Sequence, residues 1–222
     1  AAGPRALVRR NPLADGTLPP AAGLAFSLVF LAAGLTGIGL LSAAALLPAA
    51  LIAAIVAGLA LHWLEGAIAR ALTLGALQAL YLLLGAVLGG GPQGASRPAV
   101  LILAGMFFFA MAGGRGMIDI RDFPVDEPGP VRTLPKRLGV RTTAVLTAVC
   151  LHAAFALSLA AYWTGQFGVL YFYLALPYTA VGLFCAWWFA LRPSPQLARR
   201  LTLVFMMGEG ALICLAAILG SL

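Results

Sequence analysis

The chain has 222 residues, of which 62% are hydrophobic and only 9% are charged. Soluble domains average roughly 45–50% apolar and about 25% charged residues, and a soluble fold of this length has too small an interior to bury so much apolar surface. The formal net charge is +7, but no basic and aromatic surface lies outside the apolar runs, so we expect no nucleic-acid partner. The composition predicts an all-α, polytopic transmembrane bundle.

Apolar runs long enough to cross a bilayer core of about 30 Å recur along the chain. The polar residues between these runs divide them into seven predicted spans within a single domain, residues 1–222. In chain order, the predicted spans are 21–41, 43–62, 71–90, 98–114, 142–163, 167–191 and 200–220. Residues 115–141, between the fourth and fifth spans, form the longest predicted connection between spans.

The positions of Lys and Arg agree with this span count. Seven spans make the connections alternate between the two sides of the membrane, and thirteen of the fourteen basic residues then share the side of the N-terminus. The exception is Arg97. Because cytoplasmic connections carry such an excess of Lys and Arg, we expect the N-terminus and residues 115–141 to face the cytoplasm, next to anionic lipid.

Four of the seven acidic residues lie together after the fourth predicted span: Asp119, Asp122, Asp126 and Glu127. The spacing of the three aspartates would place them within about 60° on one helix face, where carboxylates repel one another unless they share a cation. Oxygen ligands favour Mg²⁺ or Ca²⁺. Because Pro124 interrupts a helix, we expect Asp119 and Asp122 on the last helical turn and Asp126 in the turn beyond it.

Basic residues surround these carboxylates: Arg115, Arg121, Arg132, Lys136, Arg137 and Arg141. Arginine binds phosphate oxygens through paired hydrogen bonds. A loop of mixed charge therefore suits a Mg²⁺-bound diphosphate better than a bare cation. The alternative is a solvated connection whose charges only keep it in water.

The segment 119–142, "DIRDFPVDEPGPVRTLPKRLGVRT", resembles the second aspartate-rich motif of the UbiA-type intramembrane prenyltransferases. That motif reads D-I-x-D-x-x-x-D, followed by Gly, T-L-P and L-G, and this chain departs from it at Val125, where Gly is common. Residues 9–35 are similar to the family's segment after its first aspartate-rich motif. Residues 72–86 are similar, more weakly, to its fifth helix.

The resemblance implies a nine-helix fold, of which this chain would supply helices 3–9. It also implies Mg²⁺-assisted transfer of a prenyl group from a prenyl diphosphate to an aromatic, quinone-precursor-like acceptor or to a lipid acceptor. By their place in the motif, Asp122 and Asp126 are the expected metal pair, with Asp119 as a third ligand. The expected substrate-binding residues are Arg121, Arg132, Lys136, Arg70 and the intramembrane Glu209.

The family's first motif, N-x-x-x-D-x-x-x-D, is not found before residue 9. Asn11 and Asp15 have part of that spacing, but Pro19 occupies the place of the second aspartate. We therefore expect the first two helices and the first motif to be missing from this chain, and the chain alone to be inactive.

Three other interpretations stay open. The CDP-alcohol phosphatidyltransferases also place aspartates at a helix end, but Phe123 stands where their D-x-x-D-G pattern needs Gly. A transporter-like seven-span protein would pair ionisable residues deep in several spans, and Glu209 has no evident partner of this kind. The third is a non-catalytic member or inactive fragment of the prenyltransferase family.

Overall fold

The computed structural model describes residues 19–60, 66–126, 132–165, 167–202, 204, 205 and 208. Its helices are α1 (Pro20–Leu41), α2 (Leu46–Ala60), α3 (Ala67–Ala95), α4 (Pro98–Asp126), α5 (Leu134–Leu138), α6 (Val140–Tyr162) and α7 (Val169–Leu191). One 3₁₀ turn, Ala43–Ala45, joins α1 to α2, and residues 195–202 are helical. Over these residues the structure contains no strand, which confirms the all-α prediction.

Five helices, α1, α3, α4, α6 and α7, are long and apolar enough to cross a membrane, and α2 belongs to a shorter apolar segment. The chain is therefore an integral membrane protein. Helices α1, α6 and α7 begin and end within two residues of the predicted spans. The count of seven stays a prediction, because most of the last predicted span lies outside the described residues.

Helix α3 contains a break near its end. Gly91 has φ 65° and ψ −168°, and Pro92 follows it. A positive φ is readily adopted by glycine, and proline lacks the N–H that would continue the helical hydrogen bonds. The regular part of α3 therefore stops close to residue 90, where the sequence predicts the end of the third span.

Helix α4 is longer than the sequence predicts. The fourth span was expected to end near residue 114, with Asp126 in a turn beyond the helix, but α4 continues to Asp126 with Pro124 inside it. The expectation for Asp126 is therefore wrong. Proline removes one backbone hydrogen bond, and because only two helical residues follow Pro124, little helix remains to be disrupted.

Close helix contacts fix the position of α4 between α3 and α6. A Cβ atom on Gly75 of α3 would lie 2.6 Å from the carbonyl oxygen of Phe108 in α4. A Cβ atom on Gly116 of α4 would overlap Oγ1 of Thr147 in α6. Small residues permit this approach in membrane bundles.

The main hydrophobic core lies beside the end of α4 that carries the three aspartates. Met117 and Ile120 of α4 are buried there with Phe155 of α6 and Phe189 of α7. These two α4 residues flank Asp119 along the chain. The helix turn that carries the first aspartate is thus held rigidly by apolar packing.

Candidate functional site

The three aspartates lie on successive turns at the end of α4, but their environments differ. Asp119 is only 2% exposed, whereas the side chain of Asp122 is 42% exposed. Asp126, the last residue of α4, is partly exposed. An angular separation of about 60° between positions 119 and 122 is enough to turn Asp119 inward and leave Asp122 at the surface.

Asp119 has two partners within the protein. Its Oδ2 atom accepts a hydrogen bond of 3.0 Å from the backbone N–H of Leu134. Its Oδ1 atom lies 2.6 Å from Nη2 of Arg115, one helical turn earlier. Among the described residues, Oδ1 of Asp119 and Nε of Arg115 make no aligned hydrogen bond, so the Arg115 contact is best described as an ion pair.

Asp122 is paired with its neighbour in the chain. Nε of Arg121 donates to Oδ1 at 2.7 Å, and Nη2 donates to Oδ2 at 2.8 Å. The Arg121 and Asp122 side chains are 36% and 42% exposed, so water screens their attraction and the pair adds little stability. Such a pair can exchange partners when a stronger ligand arrives.

The short helix α5 brings basic residues to this end of the bundle. Thr133, Leu134 and Pro135 are buried, and the predicted substrate-binding residues Arg132 and Lys136 are exposed. Leu134 packs against Ala67 and Ala71 at the start of α3. Gly139, at φ 80°, lets α6 begin directly after α5.

The structure brings Arg70 to the same region of the bundle. Arg70 lies in α3 between Ala67 and Ala71, the two residues that contact Leu134 of α5, and it is partly exposed. Since Leu134 also contacts Asp119, residues of α3, α4 and α5 meet there. Glu209, the other predicted substrate-binding residue, lies outside the described residues.

The aspartates at the end of α4 fit Mg²⁺ only if water or substrate phosphates supply the rest of its ligands. Among the described residues, no three His, Cys, Asp or Glu side chains are grouped closely enough to hold a metal. Mg²⁺ commonly uses one or two carboxylates and completes its shell with water and substrate phosphates. Asp122 and Asp126, four residues apart, suit that mode. That Asp119 also binds the ion stays a prediction from the sequence.

The contact between α4 and α5 was missed by the sequence analysis. The pairing of Arg115 with Asp119 follows the i, i+4 spacing of a helix face and could have been anticipated. Leu134, however, lies 15 residues from Asp119 and contributes a backbone N–H. A backbone donor carries no signature in the side-chain pattern.

An apolar cavity of about 700 Å³, open on one side, lies between α1, α2 and α3, and several of its wall residues are exposed. Its walls include Leu31 of α1, Ile52 of α2 and Leu84 of α3. Tyr81, also in the wall, is ten residues beyond Ala71 in α3, which is about 15 Å along the helix. The cavity thus lies further along α3, away from the contact between α3 and α5.

The model of the UbiA prenyltransferase family matches residues 6–208. No curated protein matches the chain at a significant level. The fold is similar to a solved structure of digeranylgeranylglyceryl phosphate synthase in membranes, with a TM-score of 0.81 and 21% identity. The alignment covers 97% of this chain and 75% of that chain. At this identity the structural likeness concerns the fold.

Proposed function

The chain belongs to the UbiA prenyltransferase family, and on that basis we propose that it transfers a prenyl group from a prenyl diphosphate to an acceptor in the membrane. The acceptor is either aromatic and quinone-precursor-like or a lipid, and the similar solved structure is that of a digeranylgeranylglyceryl phosphate synthase. The observation that carries the proposal is the family match over residues 6–208. The partly exposed aspartates at the end of α4 support it.

Asp122 and Asp126 are the residues proposed to hold Mg²⁺ against the diphosphate. Both lie at the end of α4 and remain partly exposed, so phosphate oxygens and water can reach them. When bound, Mg²⁺ stabilises the negative charge that develops on the leaving diphosphate. The two carboxylates have the role of orienting the diphosphate so that its bond to the allylic carbon faces the acceptor.

Arg121 has a role that follows from its present pairing. It binds both oxygens of Asp122, so a metal that binds the same oxygens competes with it. We assign the released guanidinium to the diphosphate oxygens, which it can bind with two parallel hydrogen bonds. The exchange is inexpensive because both side chains are solvent-exposed by more than a third.

Arg132, Lys136 and Arg70 extend the positive charge around the proposed diphosphate site. The first two are exposed beside and on α5, and Arg70 lies at the adjoining end of α3. Positive charge placed in advance where negative charge develops is an effective form of catalysis. The role proposed for Glu209, contact with the acceptor, rests on the sequence alone.

The cavity between α1, α2 and α3 is the proposed space for the apolar prenyl tail. Its volume of about 700 Å³ falls within the range of about 300–1,000 Å³ that is typical of small-molecule pockets. The excess of basic residues on one side supports a cytoplasmic position for the aspartates. The diphosphate would then enter from the cytoplasm while its tail stays in the membrane.

The test is a transfer assay with the protein in lipid nanodiscs. A radiolabelled prenyl diphosphate is supplied with an aromatic hydroxy acid, with a glyceryl phosphate lipid, or with no acceptor. We expect a labelled product with one acceptor class in the presence of Mg²⁺, and none after chelation, when a segment that carries the N-x-x-x-D-x-x-x-D motif is present. Residues 1–222 alone, which lack that motif, are expected to give no product. Absence of product with every acceptor when that segment is present would contradict a catalytic role, and titration with the prenyl diphosphate then shows whether the chain still binds it.

A further inference from the structure

We propose that Asp119 is a positioning residue that caps α5 and thereby places the basic segment 132–137 beside Asp122 and Asp126. The inference rests on the proposed function for its consequence, but its structural part stands alone. It separates Asp119 from the other two aspartates, which the sequence pattern treats as one set.

The first argument is burial. Asp119 is 2% exposed, and its two oxygens face Leu134 N–H and Arg115 Nη2. A buried carboxylate needs partners that offset the loss of hydration, and here both partners belong to the protein. The carboxylate is therefore used within the fold, in contrast to Asp122, whose partner is an exposed arginine.

The second argument is the start of α5. The first N–H groups of a helix have no acceptor within that helix, and a side-chain oxygen at the N-cap commonly supplies one. Thr133 is the N-cap of α5, but its side chain makes no capping bond. The acceptor is instead Oδ2 of Asp119, at 3.0 Å from the Leu134 nitrogen.

The third argument is what α5 carries. Its buried residues are held by α3, since Leu134 packs against Ala67 and Ala71, and by α4 through Asp119. Arg132, Lys136 and Arg137 are exposed. The direction in which these cations are presented therefore depends on where α5 is anchored, and one of its anchors is a carboxylate one turn from the proposed metal pair.

The test compares two substitutions at the donor. Leu134→Pro removes the N–H, and proline is well accepted at the first position of a helix. Thr133, at φ −111° and ψ 159°, already has the backbone conformation required before proline. Leu134→Ala keeps the N–H and, like Leu134→Pro, removes the leucine packing, so the difference between the two variants reports the hydrogen bond.

The acceptor is tested in parallel. Asp119→Asn keeps an oxygen for Leu134 N–H and loses the charge that faces Arg115, whereas Asp119→Ala loses both. Hydrogen exchange of residues 136–138 and the KM for the prenyl diphosphate are measured for each variant, with the half-saturating Mg²⁺ concentration. Leaving a buried donor without its acceptor corresponds to about a 5–150-fold change in an equilibrium constant, which bounds the expected rise in KM.

We expect Leu134→Pro and Asp119→Ala to accelerate exchange in residues 136–138 and raise the KM, with Asp119→Asn and Leu134→Ala less affected and the Mg²⁺ dependence unchanged. If Asp119→Asn instead raises the half-saturating Mg²⁺ concentration as much as Asp122→Asn, with unaltered exchange, Asp119 is a metal ligand and the proposal is overturned. Because exchange needs no turnover, absence of prenyl transfer even with the N-x-x-x-D-x-x-x-D segment present would refute the proposed function and leave this test intact.

Discussion

Helices α1 and α4 are both apolar enough to cross a membrane, yet they relate to the rest of the protein in opposite ways. None of the most apolar stretch of α1 is buried, against 44% of that of α4, although α1 is the more apolar of the two. Apolar character alone does not bring helices together in lipid, since lipid tails are equally apolar. The difference lies in where the small residues face: a Cβ atom on Gly116 of α4 would meet Thr147 of α6, whereas a Cβ atom on Gly34 or Gly37 of α1 would meet nothing within 4 Å.

The largest expected difference between α4 and α1 concerns activity, because the proposed metal-binding residues lie at the end of α4. We expect Asp122→Asn to reduce prenyl transfer by about 10²–10³-fold, the usual loss when a group that stabilises developing charge is removed. The measurement is the initial rate of product formation at saturating Mg²⁺.

The matched change in α1 is Thr36→Val, which removes a polar group from an exposed position outside the walls of the cavity. Its rate should stay close to that of the wild-type protein. Equal losses in both variants would show that the end of α4 has no special part in the reaction.

Packing provides the next test, with an alanine introduced once in each region. In Gly75→Ala the new methyl group would lie 2.6 Å from the Phe108 carbonyl oxygen, a backbone atom, so α3 and α4 must separate. Overpacking of this kind costs about 1–3 kcal/mol. Unfolding by sodium dodecyl sulfate in mixed micelles measures the change in free energy.

The control is Gly37→Ala in α1, where a Cβ atom would have nothing within 4 Å. Alanine favours a helix over glycine by about 1 kcal/mol, so this variant should be as stable as the wild type or more so. A destabilised Gly37→Ala beside an unaffected Gly75→Ala would reverse the assignment of the packed and open regions.

The sequence predicts most of the helices because their signal is local. Apolar runs define α1, α6 and α7 to within two residues, and the acidic spacing marks the end of α4 as the candidate site. The outward and inward positions of Asp122 and Asp119 were not predictable from that spacing. The inward position of Asp119 involves α5, whose contact with α4 joins residues 15 positions apart through a backbone N–H.

The length of α4 was mispredicted for a related reason. Proline disfavours the interior of a helix, but the rule does not say how much helix must follow for the cost to matter. The close contact of Gly75 with Phe108 could not be predicted from one sequence either, because a glycine in an apolar run looks the same whether it faces another helix or lipid.

The loosely packed helices α1 and α2 have a function of their own if the cavity that they form with α3 holds the prenyl tail. We expect Ala53→Phe, in the wall formed by α2, to shorten the usable space and to discriminate against longer donors. Each buried methylene contributes about 0.8 kcal/mol, so loss of two methylene contacts would lower kcat/KM for a long donor by about 15-fold. The assay compares kcat/KM for donors of two, three and four isoprene units.

A uniform decrease for all donors would instead point to a general packing defect and would contradict a tail-binding role for the cavity. Gly37→Ala serves again as the control, since it lies in α1, another helix that borders the cavity, but outside the cavity walls. Its preference among donors should match that of the wild type.

The smallest expected effect concerns the exposed pair at the end of α4. Arg121→Gln frees Asp122 from its guanidinium partner and removes a proposed diphosphate contact. Exposed ion pairs contribute about 0.2–1 kcal/mol, so we expect Mg²⁺ to bind up to about fivefold more tightly in the absence of substrate and the prenyl diphosphate to bind more weakly. Arg199→Gln, which removes an exposed charge from the helical residues 195–202, should change neither affinity. Opposite changes in the affinities for Mg²⁺ and for the prenyl diphosphate would show that the two compete for Asp122 and Arg121. A general loss of positive charge would instead weaken diphosphate binding in both variants and leave Mg²⁺ binding unchanged.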